Sequence, residues 1–262
     1  MNLAEAVLLG MLQGILEWLP VSSEGISSIL LMNFFGKSLS EAVNFSIWLH
    51  TGTLGAAVVY FRKELLSILK TLPKYDPKRH ELTTFLLVST LFTGIVGGSI
   101  FLFGLNKLNL PFEVAMGLIG IFLLVSGVLQ VMGRKVKGLK KKVGIGDSVI
   151  LGVVQGFSVL PGLSRSGLTV SALLLKKYEA KEALRLSFLM SVPAVLIGEI
   201  GLGLVGNFSF DFYSLIAVGV SFLFGLCTIS FLMKVAERLN FGIFCILLGI
   251  LVILGSLIYV LA

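Results

Sequence analysis

The chain has 262 residues, 56% hydrophobic and 13% charged, with a mean hydropathy of +1.01. Soluble domains carry about 25% charged residues, so this composition excludes a water-soluble globular protein and points to a polytopic membrane protein. The net charge of +7 would suit nucleic acid in a soluble chain, but the basic residues fall in short loops, where they act as topology signals; no nucleic-acid partner is expected.

Residues 3–35 are apolar but broken at Leu19-Pro20, where WLPVSSEGISS (18–28) sets Ser22, Ser23 and Glu24 just past the proline. Glu5, with no basic stretch ahead of the apolar run, predicts no cleavable signal peptide. Full spans follow at about 41–61, 82–104 and 112–132. After the basic stretch 133–146, residues 147–175 are broken again, at Pro161-Gly162. Three more spans follow at about 186–206, 213–233 and 241–261. With no water to satisfy backbone groups, all of these must be helices. Each half of a broken stretch has about 10–15 residues, short of the roughly 20 that cross a bilayer. Such pieces predict re-entrant hairpins, tolerated where protein or a wet cavity surrounds them. Cys227 and Cys245 lie in apolar runs, so neither a disulfide nor a metal role is expected.

The two broken stretches resemble each other. A shift of 142 residues pairs Leu9-Gly10 with Leu151-Gly152, Gln13-Gly14 with Gln155-Gly156, Ser22 with Ser164 and Gly25 with Gly167. Further on, EAVNFSIW (41–48) parallels EALRLSFL (182–189). Each copy is a hairpin plus three spans, and an odd number of crossings inserts the second copy upside down. Charge agrees: the stretches 62–81, 133–146 and 176–185, with Lys234 and Arg238, hold 18 basic residues, against Lys37 and Lys107 on the other side. The basic side is cytoplasmic. The expected fold is an all-α polytopic membrane protein: six transmembrane helices plus two re-entrant helix hairpins in an inverted-topology repeat. Residues 1–132 make the first repeat, 133–146 a basic cytoplasmic loop and 147–262 the second repeat, with both termini extracytoplasmic in the cell membrane.

Inverted repeats place broken helices tip to tip near the midplane, where substrate binds. WLPVSSEG should therefore face LPGLSRSGLT (160–169). That second stretch offers Arg165 among Ser164, Ser166 and Thr169. A guanidinium matches phosphate oxygens with paired donors, and hydroxyls add more. A half-helix starting there adds free N–H groups and a positive dipole end. An arginine at membrane depth is costly and marks a functional site, although a structural ion pair with Glu17 or Glu24 is compatible with the same residues. Glu17 lies four residues after Gln13, on one helical face. A carboxylate beside a phosphate-binding arginine suits a bridging hard cation, and Ser22 or Ser23 could be a nucleophile if a neighbouring base takes its proton.

QGILEWLPVSSEG and LPGLSRSGLT resemble the two signature motifs of the undecaprenyl-diphosphatase family, the second of the form PGxSRSxxT, and LHTGTLGAAVVYFRK (49–63) extends the likeness. The resemblance covers essentially the whole chain. It implies an integral membrane enzyme that hydrolyses a polyprenyl diphosphate to the monophosphate, recycling the lipid carrier of envelope glycans. It also implies Mg²⁺ or another divalent cation held by Glu17, Ser23 as nucleophile and Arg165 as the diphosphate clamp. Glu17, Ser23, Glu24 and Arg165 are thus the candidate catalytic residues; Gln13, Ser22, His50, Gln155, Ser164, Ser166 and Thr169 join Arg165 as candidate substrate-binding residues. The chain departs from the motif at Gln13, where the family has a glutamate, and at Ile26, where it has a histidine. Glu24 or His50 could supply the missing acid–base group.

The alternative is a transporter that flips a phosphorylated polyprenyl lipid or another anion, since inverted repeats with broken helices are transporter architecture. Expected partners are the polyprenyl diphosphate and the bilayer, with a homodimer left open. His80 should be solvated in its loop, Glu199 should be a buried pair member or an interface residue, and Gly97-Gly98 and Gly201 to Gly203 should mark close helix packing. The topology is testable with Cys227 and Cys245 replaced by serine. Leu139→Cys should label only from the cytoplasmic side and Ser209→Cys only from outside; reversed labelling of either overturns the inverted repeat.

Overall fold

The computed structural model describes residues 2–104, 110–134, 142–205, 212–235 and 241–261. Among the described residues, six helices are long and apolar enough to cross a membrane: α3 (Leu39–Tyr60), α5 (Glu81–Phe103), α6 (Phe112–Arg134), α9 (Ala180–Val205), α10 (Phe212–Val235) and α11 (Phe241–Leu261). They coincide with the six spans expected from hydropathy. Five more among the described residues are too short to cross alone: α1 (Leu3–Leu16), α2 (Ser23–Phe35), α4 (Arg62–Thr71), α7 (Ile145–Gly156) and α8 (Arg165–Leu175). Among the described residues there is no strand. Part of the basic stretch 133–146, together with Lys107 and Arg238, lies outside the described residues.

Local sequence explains the helix ends. Asn2 with Glu5 and Ser38 with Glu41 form capping boxes at α1 and α3, each satisfying two orphan donors. Gly36, at φ +62°, closes α2 in the left-handed conformation that glycine adopts without penalty. The first break starts earlier than Leu19-Pro20 suggests: α1 ends at Leu16 and a turn carries the chain to the N-cap, Ser22. In the second, a 3₁₀ turn (Phe157–Val159) precedes Pro161, and Ser164 caps α8. The sequence gives no hydropathy signal for α4 (Arg62–Thr71), which the structure forms inside the basic stretch 62–81. It packs Leu65 and Ile68 on the core, leaves Leu66 and Leu69 exposed, and is tied to α9 by Glu64–Arg185 at 2.6 Å.

Helices pair across the first and second halves of the chain. α1 and α3 pack on α10, while α7 and α9 pack on α5; α6 lies along α11. Glycines permit these contacts, since helix packing in a bilayer depends on close backbone approach. A Cβ at Gly14 would sit 2.7 Å from Phe224 Cβ and Ser221 O on α10; at the equivalent Gly156 it would sit 2.6 Å from Val96 Cβ on α5. Between α6 and α11 the contact is reciprocal, Gly127 against Gly242 and Gly120 against Gly249. Gly97 also packs closely, with Gly156 O 3.2 Å from a built Cβ, but Gly98 and Gly201 have nothing within 4 Å. These last two do not mark a helix contact; they line a cavity.

Because Gly14 touches backbone as well as side chain, Gly14→Ala should destabilise the protein by about 1–3 kcal/mol, the usual cost of overpacking. Gly219→Ala, with open space around it, should leave the unfolding temperature in detergent unchanged. Equal unfolding temperatures for the two variants would refute tight α1–α10 packing.

Candidate functional site

The two broken turns meet. A Cβ on Gly25 would lie 2.9 Å from the Gly162 nitrogen, so only glycine lets the turns approach this far. Ser166 Oγ donates to the Leu19 carbonyl at 3.1 Å, crossing from the second stretch to the first. The Arg165 guanidinium pairs through Nη2 with Glu17 Oε1, at side-chain exposures of 14% and 4%, which few charged side chains tolerate unless paired. Its partner is Glu17 and not Glu24. The guanidinium also stands 5.9 Å from the centre of the Trp18 ring, within cation–π range.

Glu17 gathers the other candidates. Its Oε2 accepts from Gln13 Nε2 at 2.9 Å and Ser23 Oγ at 2.8 Å, and lies 3.0 Å from His50 Nε2. His50 Nδ1 faces the Ser46 carbonyl at 2.7 Å. Both ring nitrogens therefore face acceptors, and each carries a proton when both bonds are made. A doubly protonated ring is a donor, so this geometry makes His50 a support for Glu17 and not a base toward Ser23.

The serines divide by role. Ser22 and Ser164 are spent on capping, accepting from Gly25 N at 3.2 Å and Gly167 N at 3.1 Å. Ser22 does this at φ +62°, unusual for a residue with a Cβ. Ser23 alone among the candidate serines donates its hydroxyl to a carboxylate. Thr169 is not brought to the site: its hydroxyl bonds the Arg165 carbonyl at 2.8 Å and Ser187 at 2.7 Å, where it fastens α8 to α9. Gln155 holds Thr93 and the Met190 carbonyl through Nε2 and lines the neighbouring cavity. His80 is tied into its loop by the Asp76 N–H at 3.0 Å.

Several buried polar atoms lack a partner: Arg165 Nη1, Glu24 Oε1 and Gln13 Oε1. Arg165 and Glu24, with Glu17, Ser22, Ser23 and Ser166, bound a small polar recess. An unpaired guanidinium N–H beside the N-terminus of α8 is a ready anion site. Glu24, His50, Ser158 and Arg165 are shared with a second, apolar cavity of about 430 Å³ between α5 and α9. Its far end is lined by Gly98, Phe101, Leu102, Ile197 and Gly201. Leu102 and Ile197 are also 45% and 47% exposed, so the cavity reaches the outer surface of the helix bundle. Sequence reasoning missed Trp18, Thr90 and Ser158; only Trp18, beside the motif glutamate, carried any signal.

The donor set bears on a metal. Among the described residues no three His, Cys, Asp or Glu converge into a metal cage. The recess does bring the carboxylates of Glu17 and Glu24 together, the latter with an unpartnered oxygen. One or two carboxylates completed by phosphate oxygens is the usual protein contribution to a Mg²⁺ site, so the residues fit a divalent ion that arrives with a phosphorylated ligand.

Residues 6–252 match the family model described as bacitracin resistance protein BacA. The chain is 47% identical to a protein named undecaprenyl-diphosphatase from Methanococcoides burtonii, over 97% of this chain and 98% of that protein. Proteins of the same name from Methanothrix thermoacetophila and Methanopyrus kandleri are 38% and 37% identical, each match covering more than nine-tenths of both chains.

Removing one member of a buried ion pair strands the other, at about 3–5 kcal/mol. Glu17→Gln should lower the unfolding temperature accordingly, and the double variant Glu17→Gln/Arg165→Gln should recover part of the loss. If the single variant melts like the wild type, the pair is not what joins the two turns.

Proposed function

The chain belongs to the bacitracin resistance protein BacA family, and from that membership we propose that it is a membrane enzyme hydrolysing undecaprenyl diphosphate, or a close polyprenyl diphosphate, to the monophosphate and inorganic phosphate. The observation that carries this is the polar recess opening into an apolar cavity, with Arg165, Glu24 and His50 at the junction. A lipid diphosphate has the same two parts: a dianionic head for the recess and a prenyl chain for the cavity. Relatives and family speak for the hydrolase, not for the transporter.

The chemistry follows from the contacts. Arg165 Nη1 and the free N–H groups of α8 bind the terminal phosphate and neutralise charge on its oxygens as the bond breaks. Ser23 Oγ attacks phosphorus, and its proton passes to Glu17 Oε2, to which it is already bonded. The bridging P–O bond breaks, the polyprenyl monophosphate leaves, and water then cleaves the phosphoserine to free phosphate and restore the serine. His50 and Gln13 keep Glu17 aimed at Ser23. Glu24, unpartnered at the junction of head and tail, takes the acid–base place left by Ile26. Mg²⁺ or another divalent cation, when bound by Glu17 and Glu24, would neutralise the diphosphate oxygens.

The same proposal places the protein in the membrane as an inverted repeat, residues 1–132 against 147–262, with α1–α2 and α7–α8 as re-entrant hairpins and both termini outside. The exchange of partners between halves, α1 and α3 on α10 but α7 and α9 on α5, supports it, as does the basic bias of the loops.

Purified protein supplied with a divalent cation should release phosphate from undecaprenyl diphosphate. Arg165→Lys should impair it severely, since an ammonium loses the planar fork, and Arg165→Ala more so. Glu24→Gln should lower turnover by about 10²–10⁴-fold, the range of a lost acid–base group, with lipid binding largely kept. A protein that binds the lipid through Arg165 but releases no phosphate would sink the hydrolase and restore the transporter.

A further inference from the structure

Two residues one helical turn apart on α6 each reach one of the broken turns. Ser126, fully buried, donates Oγ to the Gly162 carbonyl at 3.3 Å and accepts the Ser164 N–H at 3.1 Å. Gln130 Nε2 donates to the Pro20 carbonyl at 2.6 Å and lies 3.6 Å from Cys245 Sγ. The Cys245 thiol, from α11, points at the same Pro20 carbonyl at 3.1 Å. One carbonyl thus takes two donors from two helices outside its own segment.

That carbonyl lies two residues before Ser22, whose left-handed φ of +62° costs about 1–2 kcal/mol for a residue with a Cβ. Such a conformation persists only where the surroundings over-determine it. Here the Leu19 carbonyl is held by Ser166 and the Pro20 carbonyl by Gln130 and Cys245. The product of the strained turn is the bond from Ser23 Oγ to Glu17. Gln130 also closes the back of the other turn, since its Nε2 would lie 2.7 Å from a Cβ on Gly167.

We propose that Gln130 is a positioning residue for the hydrolysis, holding the Pro20 carbonyl jointly with Cys245 so that the Ser22 turn keeps the Ser23 hydroxyl on Glu17. Ser126 does the corresponding work for the turn that carries Arg165. Gln130 is not among the residues that bound the recess; it acts through the backbone. The inference rests on the hydrolase assignment for its kinetic form, but the geometry it describes does not.

Gln130→Met keeps the volume and removes the donor. It should lower kcat for phosphate release from undecaprenyl diphosphate by about 10- to 100-fold, the scale of an ångström-sized misplacement, with KM little changed. Ser126→Ala, which loosens the Arg165 turn, should raise KM instead. Cys245→Ser, still a donor, should stay near wild type, and Gln130→Met combined with Cys245→Ala should depart from the product of the single effects because both act on one acceptor. An unchanged kcat in Gln130→Met, independent effects in the pair, or a loss matched entirely by a smaller folded fraction overturns the proposal. If the wild type releases no phosphate, the hydrolase assignment fails on its own account. The positioning is then read from alkylation of Ser23→Cys with Cys227 and Cys245 replaced by serine. Adding Gln130→Met should change that rate severalfold, and an unchanged rate again overturns it.

Discussion

The ion pair between Glu17 and Arg165 is the constraint around which the rest is arranged. Each charge sits at the edge of a break, Glu17 just past the end of α1 and Arg165 at the first residue of α8, and a charge buried among apolar helices is costly unless paired. Pairing them brings the two broken turns together, which in turn requires glycine at 25, while Gly162 is required by its φ of +101° and by the carbonyl of Ile119 on α6. It also spends one oxygen of Glu17 and one nitrogen of Arg165, leaving Glu17 Oε2 for Ser23, Gln13 and His50 and leaving Arg165 Nη1 open. The site is polar because its own structural bond leaves half of each charged group to chemistry.

Much of this was legible in the sequence, and the legible parts share a cause. Spans are written in hydropathy over some twenty residues, a signal that survives any packing. The breaks are written in Pro20 and Pro161-Gly162, and the meeting of the turns in the repeated LG, QG and SxxG spacings. What could not be read depends on side chains brought together from distant segments. His50 lies mid-helix in a span, and nothing local says that its ring reaches Glu17, 33 residues earlier. Thr169 shares a motif with Arg165 but, four residues on, its hydroxyl returns to the Arg165 carbonyl and meets α9. Helix α4 was hidden because its lysines read as loop charge, while its apolar face is only two turns long. Gln130 gave no sign at all, since its meaning lies in a backbone carbonyl 110 residues away.

The halves are alike in pairing but not in space. On the side of α3 and α10 the contact is closed, with Gly52 pressed to within 2.8 Å of the Phe222 nitrogen by a built Cβ. On the side of α5 and α9, Gly94, Gly98, Gly198 and Gly201 meet nothing. Glycines thus tighten one interface and leave room in the other, where the apolar cavity lies.

That cavity reaches the surface at Leu102 and Ile197, on helices whose outward faces are apolar. An opening among the outward apolar faces of membrane-spanning helices suits a substrate that arrives from the bilayer, so encounter is a two-dimensional affair. What matters is the number of carrier lipids per unit of membrane area, and diluting the aqueous phase changes nothing. The product monophosphate keeps the prenyl chain, so it competes with incoming diphosphate for the same apolar cavity. Withdrawal of the monophosphate from the membrane by other enzymes therefore relieves that competition and keeps the cavity open to new substrate.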